Sequence, residues 1–127
     1  METSDYKEKD IVFALIEEFE HSKENPNRPA LIILKKEENN FLVCGFSHDE
    51  WKKAKNIKIS NDSLKWGKLF AGVSYINISK PKNIPIKNID YKIGEIEQEV
   101  YDIILIELSK PKKLKRNLIV IVKHITD

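Results

Sequence analysis

Short apolar runs rich in β-branched residues, separated by polar stretches, constrain the fold of this chain most. The clearest is Leu31-Ile32-Ile33-Leu34, which follows Arg28-Pro29-Ala30 and ends at two lysines. Runs of about four to eight such residues, bounded by Gly, Pro, Asn or charged residues, are typical of strands. The sequence therefore predicts strands over residues 10–16, 29–35, 41–46, 57–60, 69–78 and 117–125.

The connections between the first three predicted strands indicate how those strands are arranged. Residues 17–27 carry charges, asparagines and Pro26, which predicts a loop, whereas residues 36–40 form a tight polar turn. A strand, a long loop and then two strands across a tight turn favour an antiparallel meander.

A helical period replaces the strand pattern toward the end of the chain. Apolar residues recur at helical spacing at Ile96, Val100, Ile103, Ile104 and Leu108, which predicts an amphipathic helix. Five or six short strands plus one helix in 127 residues predict a mainly β (α+β) fold with a barrel-like architecture. We expect one domain over residues 1–127, because a chain of this length forms a single core.

Composition narrows the classes of protein to which the chain can belong. The longest apolar runs are far too short to span a bilayer, and the polar, acidic start lacks the features of a signal peptide. Cys44 is the single cysteine, so an intrachain disulfide is excluded, and its apolar neighbours predict a small buried side chain. We therefore expect a soluble, cytoplasmic protein.

Charge is distributed unevenly along the chain. Residues 1–63 carry 10 Lys and Arg against 13 Asp and Glu, a net charge of −3, whereas residues 64–127 carry 12 against 7, a net charge of +5. The basic second half could favour an anionic partner, although a solvated lysine-rich surface accounts for the same numbers.

Arg28 is the first candidate for a functional side chain. It lies where a polar loop enters a buried strand, and a guanidinium matches phosphate geometry while keeping its charge. The sequence has no P-loop, HExxH, paired CxxC or dinucleotide-binding glycine motif. Nucleotide hydrolysis, zinc and nicotinamide chemistry therefore have no sequence support, and we expect neither a cofactor nor a metal.

Five motifs, taken in order, resemble those of the MazF/PemK family of toxin endoribonucleases, which share an SH3-like barrel with the gyrase poison CcdB. They are residues 9–12 (KDIV), 28–33 (RPALII), 43–47 (VCGFS), 69–74 (LFAGVS) and 92–96 (KIGEI). The resemblance covers about residues 9–108. The chain departs from the family pattern in having Lys9 for a glycine, Ser47 for a threonine, and an extension over residues 109–127.

The resemblance implies a function and two catalytic residues. It implies the toxin of a type II toxin–antitoxin system, an mRNA interferase that cleaves single-stranded RNA without a metal. The 2′-hydroxyl of the RNA would attack the adjacent phosphorus and leave a 2′,3′-cyclic phosphate. Arg28 would stabilise the charge on the phosphorane and Ser47 would donate a hydrogen bond to a phosphate oxygen. A homodimer and a cognate antitoxin with an acidic tail are implied as well.

Further candidates come from residue type and position. His21 and His48 lie in predicted loops, and histidine exchanges protons near neutral pH, so either is a candidate acid or base. Phe19 and Trp51 are candidates for stacking on RNA bases, although Trp51 can equally cap the barrel. Ser74 matches a serine of the family and is a further candidate for RNA binding.

Two other functions stay open on the sequence alone. A non-catalytic SH3-like module could bind nucleic acid or protein through Arg28. A gyrase-directed toxin could use the same barrel, although the Arg-Pro-Ala strand matches the RNA-cleaving branch. Within the extension, the apolar residues 118–122 predict a buried segment, because an exposed strand of that composition aggregates.

Overall fold

The computed structural model describes residues 5–16, 27–37, 39–50 and 55–110 of the chain. Over these ranges the chain forms eight strands followed by an α-helix. The strands are β1 (Asp10–Leu15), β2 (Asn27–Lys36), β3 (Asn40–Ser47), β4 (Asn56–Ser60), β5 (Leu64–Gly67), β6 (Val73–Asn77), β7 (Lys82–Pro85) and β8 (Ile89–Ile96), and the helix is α1 (Gln98–Ser109).

The eight strands belong to a single curled, half-barrel sheet. Its order is β4-β6-β3-β2-β1-β8-β5, with β7 also paired to β3, and each of these pairs is antiparallel. The central strands β1, β2 and β3 are consecutive in sequence, so the predicted meander is confirmed. The mainly β fold with one C-terminal helix is confirmed too.

Strand β2 explains why the apolar run 31–34 has no alternating polar residues. Ala30 and Ile32 belong to one hydrophobic cluster, whereas Leu31 and Ile33 belong to a second one. Successive side chains of a strand point to opposite faces, so β2 is buried on both faces through its middle. Leu34, at 46% exposure, ends this doubly buried stretch.

Helix α1 covers one of the two clusters. Ile104 is its fully buried residue, and the Tyr101 hydroxyl donates a hydrogen bond of 2.7 Å to the Ile33 carbonyl oxygen of β2. Val100 and Leu108 pack at the edge of the same cluster. Ile103, which the sequence places on the apolar face, is instead 53% exposed.

Two boundaries predicted from the sequence are wrong. Ile96 ends β8 rather than beginning the helix, and residues 69–72 are a turn that precedes β6. The Gly72 amide donates to the Leu69 carbonyl oxygen at 3.2 Å with a φ of +81°, a left-handed conformation that suits glycine. The sequence does not predict β5, β7 or β8: β5 and β7 are short and contain Gly or Pro, and β8 carries charged residues along its length.

Gly67 shows why β5 escaped prediction. Its φ is +95°, and a Cβ added there would overlap the Ile93 carbonyl oxygen of β8. In the sequence this glycine indicates a break between strands. In the structure it lies within β5 and allows β5 and β8 to approach closely.

Lys9 adopts the backbone conformation that its family counterpart, a glycine, would favour. Its φ is +79°, in the left-handed region. Its ammonium group lies 2.8 Å from Gln98 Oε1 and 3.8 Å from Glu95 Oε2. Lys9 therefore holds a conformation that glycine adopts more readily, and its side chain adds polar contacts to β8 and α1.

Several predictions lie outside the described residues: the loop over residues 17–26, the segment 51–54, and the final strand over residues 117–125 with its apolar stretch. Among the described residues, no helix has the length and apolar character needed to cross a membrane.

Candidate functional site

An open cleft of about 280 Å³ lies where β2 begins and β3 ends. It brings together four of the residues singled out from the sequence, namely Arg28, Ser47, His48 and Ser74. The remaining lining residues are Asn27, Pro29, Phe46, Phe70 and Ala71.

Strand register places the two proposed catalytic residues side by side. Ala30 of β2 lies opposite Gly45 of β3, and Arg28 and Ser47 each lie two residues beyond this pair, at the same end of the two adjacent strands. On the other side of β3, Ser47 lies opposite Tyr75 of β6, which brings Ser74 to the same edge.

Arg28 lies within β2 rather than in the loop that precedes it. The residue is only 5% exposed, and its Nη1 donates a hydrogen bond of 3.2 Å to the Phe46 carbonyl oxygen. The guanidinium is therefore held against β3 by a backbone group. A buried cation at the wall of a cleft makes that cleft attractive to anions.

Ser47 is held in a similar way. It is 5% exposed, and its hydroxyl donates a hydrogen bond of 2.6 Å to the Asp49 carbonyl oxygen two residues later. A serine hydroxyl has one proton to donate, so donation to a phosphate requires the hydroxyl to rotate away from Asp49.

His48 belongs to the same loop but faces solvent. Its side chain is 81% exposed, and Nδ1 lies 4.0 Å from Oδ1 of Asp49, itself 93% exposed. An imidazole in this position can exchange protons with water at the mouth of the cleft. Its orientation is set by little besides this long contact.

Other predicted site residues cannot be placed relative to the cleft. Phe19, His21 and Trp51 lie outside the described residues. Trp66, in β5, is 46% exposed, and its Nε1 donates a hydrogen bond of 3.3 Å to Glu95 Oε1.

Sequence reasoning missed an aromatic lining residue, Phe70. It was assigned to a strand, whereas it lies in the turn before β6 with 65% of its surface exposed. A clue was available, because Gly72 two residues later is a turn signal. Phe70 contacts Phe13 of β1, which in turn stacks on Tyr91 of β8.

Cys44 is buried, as predicted. Burial raises the pKa of its thiol to about 12, so the reactive thiolate is absent at neutral pH. Over the described ranges, no three His, Cys, Asp or Glu side chains are grouped so that they could hold a metal ion.

Comparisons with known proteins match this chain by its structure and not by its sequence. No family model matches the sequence, and no curated protein matches it. Among solved structures, the toxin MazF-mt6 of Mycobacterium tuberculosis is similar, with a TM-score of 0.56 and 18% sequence identity. The similarity covers 78% of this chain and 90% of that one. The chain therefore has the fold of a MazF toxin, as its motifs predict.

Proposed function

We propose that this chain, on its MazF-type fold, is the toxin of a toxin–antitoxin system and cleaves single-stranded RNA without a metal. The observation that carries the proposal is the meeting of Arg28 and Ser47, from adjacent strands, in one open cleft. These are the two residues that the family resemblance assigns to phosphate chemistry. They are 19 positions apart in the sequence, yet both line the same cleft.

The nucleophile of the proposed reaction belongs to the RNA. The 2′-oxygen forms a bond to the adjacent phosphorus and loses its proton, while the bond from phosphorus to the 5′-oxygen breaks and that oxygen gains a proton. The products are a 2′,3′-cyclic phosphate and a 5′-hydroxyl. The protein has to stabilise the additional negative charge on the phosphorane and move two protons.

Arg28 is suited to the first of these tasks. Its guanidinium is already fixed by the Phe46 carbonyl oxygen, so it need not be reorganised when charge develops on the phosphorane. Ser47 would add a hydrogen bond to a phosphate oxygen once its hydroxyl turns from Asp49. Ser74, which lines the same cleft, would contact the RNA backbone.

Proton transfer would fall to His48, which lines the cleft, or to His21, for which the sequence predicts a loop position. His48 is exposed and weakly oriented, so its position in the complex would be set by the bound RNA. Apo geometry of this kind is common for general acids and bases, which tighten only when substrate binds.

The proposal extends to partners and location. The toxin would act as a homodimer in the cytoplasm and would be neutralised by an antitoxin. An acidic antitoxin segment suits the second half of the chain, which has a net charge of +5.

A second candidate function is RNA binding without cleavage through the same cleft. The observation that favours it is the state of the two central side chains, because both donate hydrogen bonds to backbone carbonyl oxygens and are 5% exposed. A ligand could be held by Arg28 alone, with Ser47 left in its present conformation.

Incubation of a long single-stranded RNA with the full chain in EDTA distinguishes the two functions. The toxin should produce fragments ending in a 2′,3′-cyclic phosphate and a 5′-hydroxyl. Arg28→Ala should lower the cleavage rate by about 10²–10³, as loss of a charge-stabilising donor does in other enzymes. Lys36→Ala is the matched control, because it removes an exposed cation from the far end of the same strand.

The results have distinct meanings. RNA binding by the unmodified protein without cleavage would support the binding module. Cleavage that EDTA abolishes would contradict metal independence, and equal cleavage by Arg28→Ala and the unmodified protein would remove Arg28 from the mechanism. Melting curves for each variant separate lost chemistry from lost fold, since Arg28 is buried.

A further inference from the structure

A row of three aromatic side chains leads away from the cleft. Phe70, in the cleft wall, lies with its ring centroid 5.8 Å from that of Phe13, at an interplanar angle of 57°. Phe13 stacks on Tyr91 at 5.6 Å and 17°. The row therefore connects the turn before β6 with β1 and β8.

Both ends of this row are exposed to solvent. Phe70 is 65% exposed and Tyr91 is 50% exposed, whereas Phe13 between them is partly buried. Large aromatic rings exposed next to one another leave apolar surface in water, which is a cost unless a partner covers them.

The charge of the surrounding chain indicates which partner fits. Between Ser63 and Ile89 the sequence contains five lysines and no acidic residue, and this segment includes Phe70, whereas Tyr91 at the other end of the row lies between Asp90 and Lys92. A partner that offers flat apolar rings together with regular negative charge satisfies both features. Single-stranded nucleic acid has this chemistry, since its bases stack on aromatic side chains and its phosphates pair with cations.

We propose that Phe70 and Tyr91 form a stacking platform for RNA bases on one side of the phosphate held at Arg28. The platform would accommodate about two bases, as the sheet surfaces of other RNA-binding domains do. Phe13 is a positioning residue that holds the two rings in line. The inference rests on the proposed function, because it takes the cleft as the site of the scissile phosphate.

The platform is one-sided because of where the row meets the cleft. Phe70 is shared by the cleft and the row, whereas Phe13 and Tyr91 lie beyond the cleft wall. Nucleotides extending from the cleft toward this row would therefore meet aromatic rings.

Binding of uncleavable oligonucleotides to the full chain tests the platform. Each RNA carries a 2′-deoxy substitution at the cleavage position, and two series extend it by one nucleotide at a time toward the 5′ or the 3′ end. Fluorescence anisotropy gives Kd. Extension in one direction should tighten binding by roughly five- to a hundredfold per stacked base, and extension in the other direction should change Kd little.

Ring substitutions then identify the residues. Tyr91→Ala should remove the gain from extension and leave the Kd of the shortest RNA unchanged, whereas Tyr91→Phe should retain the gain. Phe70→Leu should remove the gain as well, together with any contact that this ring makes to RNA within the cleft. Leu34→Ala, a loss of similarly exposed apolar surface elsewhere, should retain it as well. A 2-aminopurine base at the extended position should lose fluorescence on binding to the unmodified protein and keep it with Tyr91→Ala.

Several outcomes would overturn the platform. If the gain in affinity from extension persists in both ring variants, the platform is wrong. The role of the cleft is tested separately by Arg28→Ala and would not be affected by that result. Sedimentation that shows a changed oligomeric state for Tyr91→Ala would assign the rings to a protein interface instead. Failure of the unmodified protein to bind any of the RNAs would reject the proposed function and the platform with it.

Discussion

Replacement of Ile104 by alanine tests whether α1 is anchored through the buried face that the structure assigns to it. Ile104 is 0% exposed and packs in the cluster formed by β-strand residues such as Ile33 and Cys44. Ile→Ala at a fully buried site costs about 2–5 kcal/mol in free energy of unfolding, from lost burial and the cavity left behind. The better helix propensity of alanine returns a few tenths of a kcal/mol.

Ile106→Ala is the matched control, since it makes the same chemical change two residues away. Ile106 is 57% exposed, so its loss should alter the free energy of unfolding by no more than about 0.5 kcal/mol. A chain of this size loses about 3–6 °C in Tm per kcal/mol, interpolating between smaller and larger domains. Ile104→Ala should therefore melt roughly 4 °C or more below the control.

Urea denaturation followed by far-UV circular dichroism measures both variants. Ile104→Ala should lower the midpoint while leaving the m-value near that of the unmodified protein, because the native state stays compact. Equal destabilisation by the two substitutions, or a larger effect of Ile106→Ala, would refute the assignment of the buried face.

Two further predictions concern ionisable groups. Burial raises the pKa of the Cys44 thiol to about 12. An aromatic disulfide reagent at about pH 8 should therefore label Cys44 in the native protein only as fast as the protein unfolds. Immediate labelling without urea would contradict this prediction. Hydrogen bonds from Lys55 and then Lys110 lower the pKa of Glu107, so the stabilising effect of Lys55 is present above the ordinary glutamate pKa and is lost as pH falls below it. The difference in Tm between unmodified protein and Lys55→Ala should shrink on acidification from about pH 6 to pH 3 at low salt, and a constant difference would show that Glu107 is not its source.

The central part of the sheet was predictable because its information is local. Strands β1, β2 and β3 are consecutive, strongly apolar and joined without crossovers, so the pattern of residues 10–46 suffices to predict their pairing. The pairing in turn brings Arg28 and Ser47 together, which is why half of the cleft could be predicted from sequence.

The outer part of the sheet depends on contacts between distant residues. Strand β8 contains Asp90, Lys92 and Glu95, and its sequence alone favours neither strand nor helix strongly. It becomes a strand because it pairs with β1, some 80 positions earlier, and with β5. The aromatic row was unpredictable for the same reason, since its three members come from β1, a turn and β8.

The hydrogen bonds within the cleft also determine which ligands can enter it. Arg28 donates to the Phe46 carbonyl oxygen and Ser47 donates to the Asp49 carbonyl oxygen. A ligand that recruits the Ser47 hydroxyl must offer a better acceptor than a neutral carbonyl oxygen. Ionised phosphate oxygens form hydrogen bonds roughly twice as strong as neutral acceptors do, and Arg28 adds the charge that favours them. Neutral ligands gain nothing by the exchange, so we expect the cleft to bind anions in preference to neutral ligands.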